Sequence, residues 1–115
     1  MFSNKACSRL IEREGAVLVV IDVQEKLIPL VARSVETISN IVRLIKFCKA
    51  LKIPIILTEQ YPKGLGKTIV EVSSELQDVK PIEKTSFSCF GSEEFKKALN
   101  RINVKTLILV GVEAH

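Results

Sequence analysis

Residues 16–24, AVLVVIDVQ, constrain the fold of this chain more than any other stretch. Six consecutive apolar residues leave no polar face, so the run reads as a strand covered on both sides, the pattern of a central strand in a parallel sheet. Asp22 then stands at the carboxyl end of that strand. In open α/β sheets ligands bind at that edge, so an acid there has two readings, a turn residue that caps the next segment or a carboxylate placed for chemistry. The stretch by itself leaves both open.

The rest of the chain repeats a strand–helix rhythm. Apolar residues Ile38, Ile41, Val42, Ile45, Cys48 and Leu51 recur at three- and four-residue steps, which predicts a helix over residues 35–51 with Ser34 as its N-cap and Glu36 at the positive end of its dipole. Residues 53–58, IPIILT, form the next short apolar run, and a strand so soon after a helix implies a parallel crossover. A brief extended piece follows over residues 79–83. Ser92, Glu93 and Glu94 open another helix, whose apolar face is Phe95, Ala98, Leu99 and Ile102 and whose stop is Asn103. Residues 106–112, TLILVGV, read as a fourth strand, again apolar on both faces. Residues 1–15 are expected to form a surface arm, and Pro29 makes a loop or single turn of the segment after Gln24.

These elements predict an α/β fold, a three-layer α/β/α Rossmann-like parallel sheet in the order 3-2-1-4, within one domain spanning residues 1–115. In that order strand four is an exposed hydrophobic edge. The domain is therefore expected to be incomplete at its C-terminus or covered by another chain, and a homo-oligomer is expected.

Composition excludes several functional classes. A 115-residue chain with 47% hydrophobic and 26% charged residues has the make-up of a folded globular domain. The net charge of +4 is spread among acids, with five Phe and one Tyr as the aromatic residues, so no basic stripe with stacking platforms is present and nucleic acid is not an expected partner. The apolar runs are far shorter than the roughly 20 residues of a membrane helix, and no membrane partner is expected. Cys7, Cys48 and Cys89 are odd in number and widely spaced, which argues against a disulfide framework or zinc site and for a reducing, cytoplasmic compartment. Cys48 lies on the helix stripe and is expected to be core.

Lys84 follows the third extended piece directly. It is either a solvated lysine or, if that piece is a third parallel strand, an amine delivered to the same sheet edge as Asp22. The GLGKT at residues 64–68 lacks the glycine that a phosphate-binding loop needs five places before Gly66, where Tyr61 stands. A carboxylate and an amine at one edge could activate a nucleophile and take its proton.

Four pieces, VVIDVQ at 19–24, TEQYPKGLG at 58–66, EKTSFSCF at 83–90 and LVGVEAH at 109–115, together resemble the isochorismatase-like cysteine hydrolases. The resemblance implies a catalytic aspartate, lysine and cysteine: Asp22 as general base, Lys84 as the cation that favours the thiolate, and a nucleophilic cysteine about two residues beyond His115. It also implies a cis peptide at Val112–Glu113, whose turn aims backbone N–H groups at an oxyanion. Gln24, Leu27, Tyr61 and Phe87 are candidate walls of a small-molecule pocket by position. The metal-binding Asp-x-His of related nicotinamidases is replaced by Thr58-Glu59-Gln60, so neither metal nor cofactor is expected, and His115 is expected to be a turn residue. Cys89 is the alternative nucleophile within the chain. The alternative to a small-molecule hydrolase is a non-catalytic or truncated relative used in assembly.

Overall fold

A computed structural model describes residues 14–84 and 92–112. The chain forms β1 (Ala16–Ile21), a 3-10 turn (Ile28–Leu30), α1 (Ser34–Ala50), β2 (Ile55–Gln60), α2 (Pro62–Leu65), α3 (Val70–Ser73), β3 (Ile82–Lys84), α4 (Glu93–Ile102) and β4 (Thr106–Gly111). The four strands pair in parallel in the order β3-β2-β1-β4. The three-layer α/β/α sheet expected from the apolar runs is the fold observed.

β1 is central because it is apolar on both faces. Ala16, Leu18 and Val20 pack with Leu57 of β2 and with Ile41, Ile45 and Cys48 of α1. Val17 and Val19 point the other way, into a cluster with Ile56, Ile82 and Phe95 of α4. All five of these β1 residues are fully buried, which no strand with a solvated face can achieve.

The helix ends show where local chemistry was sufficient and where it was overruled. Ser92 caps α4 as expected, its hydroxyl accepting from the Phe95 N–H at 3.2 Å, and Asn103 closes the helix in the left-handed conformation. Ser34, by contrast, is not the cap of α1. It is the first helical residue, preceded by a left-handed Arg33 with no side-chain cap, and Arg33 pairs with Glu36 at 3.0 Å. The 3-10 turn built on Pro29 brings the chain into the helix through that left-handed residue, so no extended residue is available to cap it.

β2 runs two residues later than the apolar run predicts, to Glu59 and Gln60. Both polar residues are buried and held from outside the strand, Gln60 by the Gln24 side chain and Glu59 by Thr68. Pro54 stays outside the strand while its carbonyl accepts from the Leu18 N–H at 3.0 Å.

β4 is the edge of the sheet among the described residues, and it is not covered on both faces as its composition predicts. Leu109 is exposed, and Leu107, Ile108 and Val110 are half-buried. The expected arm lies outside the described residues apart from Glu14 and Gly15.

Candidate active site

Asp22 leaves β1 in the left-handed region, with φ +53. Strand alternation would put its side chain on the α1 face, beside Val20. The reversal of φ breaks that alternation and turns the carboxylate toward the α4 face, where Thr58 and Lys84 stand by register with Ile21 and with Gln60. Aspartate tolerates this backbone better than most residues, because its short polar side chain can satisfy itself locally. A left-handed non-glycine residue at a strand end is a form of strain often found at functional sites.

Three side chains meet there. Lys84 Nζ donates to Asp22 Oδ2 at 2.7 Å, and Thr58 Oγ1 donates to Asp22 Oδ1 at 2.9 Å. The Asp22 N–H also donates to the Thr58 carbonyl at 3.2 Å. The ion pair is withdrawn from water, with side-chain exposure of 1% for Lys84 and 10% for Asp22. A short, charge-assisted hydrogen bond in such surroundings is electrostatically strong. The arrangement can hold a carboxylate aimed while keeping an amine beside it.

The loop that follows β2 is fastened to the segment that follows β1. Gln24 is fully buried; its Nε2 donates to the carbonyls of Gln60 at 2.9 Å and Gly66 at 2.7 Å, and its Oε1 accepts from the Gln60 N–H at 2.8 Å. Glu25 Oε1 accepts from the Lys67 N–H, and Glu59 Oε2 accepts from both the N–H and the hydroxyl of Thr68. Gly66 is required in this loop: its φ is +82, and a Cβ there would stand 3.0 Å from Glu25 Cβ.

Of the four candidate wall residues, Tyr61 lies in a cleft of about 230 Å³ with Pro62, Lys63, Glu83 and Lys84. Its N–H donates to the Lys84 carbonyl at 3.0 Å, and its exposed ring lies over Gly64, where any Cβ would collide with it. Gln24 spends its amide on backbone groups and fixes the loop. Leu27 is half-buried at the start of the 3-10 turn. Phe87 lies outside the described residues, as do Cys89, Glu113 and His115, so the peptide expected to be cis also falls outside them; Val112 packs half-buried against the core. A larger cleft, about 530 Å³, opens between α1 and α3 around Val35, Ile38, Val42 and Glu71, and it is lined by neither Asp22 nor Lys84.

Sequence reading named Thr58 only within the Thr58-Glu59-Gln60 that replaces a metal-binding Asp-x-His, and gave it no part in the site. The signal for it was a polar residue ending an apolar strand, in alternation with Ile56 and at the same edge as Asp22. Among the described residues no group of three or more His, Cys, Asp or Glu is arranged to hold a metal ion, and no helix is long and apolar enough to cross a membrane.

Comparison with known proteins agrees with the fold. The family model for the Isochorismatase domain matches residues 16–115. The chain is 43% identical over 102 residues to isochorismatase domain-containing protein 2 of Danio rerio, covering 88% of this chain and 50% of that one. It is 34% identical over 100 residues to the Homo sapiens protein of the same name, covering 87% and 47%. The chain thus spans about half the length of the curated relatives it matches. Among solved structures, the MAR1 ribonuclease of Caenorhabditis elegans superposes with a TM-score of 0.77 at 38% identity, covering 88% of this chain and 52% of that one. The YcaC gene product of Escherichia coli, an octameric hydrolase of unknown specificity, superposes at 0.79 with 26% identity, covering 88% and 52%. With Asp22 and Lys84 joined at the carboxyl edge of a 3-2-1-4 parallel sheet and the family match running from β1 to residue 115, the chain belongs to the isochorismatase domain family.

Proposed function

We propose that the protein hydrolyses an amide-like or ester-like bond in a small molecule through a covalent thio-intermediate. The observation that carries this reading is the buried contact between Lys84 Nζ and Asp22 Oδ2 at 2.7 Å, at the sheet edge where α/β proteins bind ligands. The nucleophile is a cysteine beyond His115, as the resemblance implies. Asp22 takes the thiol proton, Lys84 stabilises the anionic side of the transfer, and the sulfur forms a bond to the carbonyl carbon. Asp22 then returns the proton to the departing amine or alcohol; water, deprotonated by the same carboxylate, attacks the thioester, the C–S bond breaks to release the acid, and Asp22 returns that proton to the departing sulfur. A free thiol has a pKa of about 8.5, and a neighbouring cation lowers it into the reactive range. Val112 and Glu113 would contribute the turn that offers N–H donors to the oxyanion.

The test is turnover of a panel of small amides and esters by the native protein, with mass spectrometry to find an acyl adduct on a cysteine. Asp22→Asn is expected to lower kcat by about 10²- to 10⁴-fold, the usual contribution of a positioned base. Activity insensitive to Asp22→Asn, or turnover confined to an RNA oligonucleotide included in the panel, would overturn the reading.

A further inference from the structure

We propose that Thr58 is a positioning residue for Asp22, its hydroxyl fixing the plane of the carboxylate so that one set of lone pairs faces the incoming thiol proton. This rests on the hydrolase reading above. The terminal torsion of an aspartate is soft, so a carboxylate held at one oxygen alone pivots about that contact. Here each oxygen has its own neighbour: Oδ2 accepts from Lys84 and Oδ1 from Thr58. The Thr58 side chain is fully buried, and its carbonyl also accepts the Asp22 N–H, so one residue grips both the backbone and the side chain of the base.

Strand structure does not account for that hydroxyl. Valine has the same branched shape and an equal or better fit to a buried parallel strand, and it would carry no polar group to be satisfied. A buried threonine hydroxyl needs a partner, and Asp22 Oδ1 is the one it has. A hydroxyl carries one proton, and donating it to Oδ1 leaves Asp22 as acceptor at that atom. Thr58 therefore selects where on the carboxylate a proton can arrive.

The experiment compares Thr58→Val, Thr58→Cys and Thr58→Ser with wild type and Asp22→Asn in the native protein, using p-nitrophenyl acetate as the acyl donor. Thr58→Val is expected to lower kcat by about 10- to 100-fold, the scale of a small misplacement of a reacting group, with KM within about twofold. Thr58→Ser restores kcat, and Thr58→Cys, a weak donor, falls between them. Wild-type kcat in Thr58→Val, or a loss in Thr58→Ser as deep as in Thr58→Val, overturns the proposal. The two failures separate, because equal turnover by wild type and Asp22→Asn removes the hydrolase reading itself, whereas a deep loss in Asp22→Asn beside a wild-type Thr58→Val removes Thr58 alone. A crystal structure of Thr58→Val is expected to show the carboxylate turned out of its wild-type plane, and an unmoved carboxylate overturns the positioning role whatever the kinetics.

Discussion

Lys84 Nζ reaches Asp22 Oδ2 across the intervening strand β2, a contact between residues 62 apart in sequence. Two interstrand spacings amount to roughly 10 Å, more than a lysine side chain alone spans comfortably. The left-handed φ of Asp22 closes the remainder by turning its carboxylate over the end of β2. Backbone strain at one residue and side-chain length at the other are thus two halves of one contact.

Removal of either partner is expected to destabilise the fold by about 3–5 kcal/mol, because a charge is left buried without its counterpart. Asp22→Leu combined with Lys84→Met should recover much of that loss, since two apolar side chains need no solvation. Urea denaturation of the two single variants and the double variant measures this. A double variant as unstable as the sum of the singles would show that the two charges are not coupled, and would overturn the reading that each single variant fails by stranding its partner.

Gln24 is expected to be a structural clamp. Gln24→Met keeps the volume and removes every hydrogen bond to Gln60 and Gly66. Each buried backbone group left without a partner costs about 1–3 kcal/mol. Limited proteolysis should then open the chain between residues 61 and 68, a loop that Glu25 and Glu59 still hold at Lys67 and Thr68. Undiminished stability and an uncut loop would mean that water replaces the amide at no cost.

Cys48 shows the pH dependence that burial imposes. Burial pushes its thiol up, so the folded state keeps the proton after the unfolded chain has released it. Its contribution to stability is full below the ordinary thiol pKa of about 8.5 and is lost as pH rises from there toward the folded value. Wild type should therefore lose stability relative to Cys48→Ala above about pH 8.5, and peptide mapping should find Cys48 unmodified by iodoacetamide until urea is added. Rapid alkylation of native Cys48 at neutral pH would contradict its place in the core.

The sheet and its order were legible because 16–21 and 106–111 are apolar without alternation, and parallel crossovers leave few ways to arrange such strands. Strand placement offered Asp22 and Lys84 as an edge pair beside the readings of a turn acid and a solvated lysine, and the contact between their side chains decides between them. The role of Gln24 was not legible, because a glutamine two residues after a strand-end carboxylate reads the same whether it faces a pocket or a backbone 36 residues away. Thr58 was hidden for a related reason: as the last residue of an apolar run it also reads as an ordinary strand end. The cap of α1 went to Arg33 because a tertiary turn decided the entry angle, which Ser34 could not report.

Among the described residues β4 is the sheet edge and presents an exposed Leu109, and such an edge invites further pairing. The 115-residue chain is expected to self-associate in sedimentation experiments, and Leu109→Lys is expected to shift it toward monomer without loss of helical signal. An unchanged distribution would place the contact elsewhere on the surface.

Gly111 pairs with Ile21 in the β1–β4 ladder, and a Cβ there would stand 2.6 Å from the Ile21 carbonyl oxygen. That atom is backbone and cannot swing aside, so Gly111→Ala must part the two strands locally. Overpacking of this kind costs about 1–3 kcal/mol, readable in urea denaturation against Leu109→Ala as a control on the exposed side of the same strand. Ile21 immediately precedes Asp22, so the parting should also raise amide exchange at Ile21 and Asp22 and lower turnover beyond what the stability loss explains. Exchange and turnover unchanged in Gly111→Ala would mean that the ladder absorbs the methyl before the strain reaches the carboxylate.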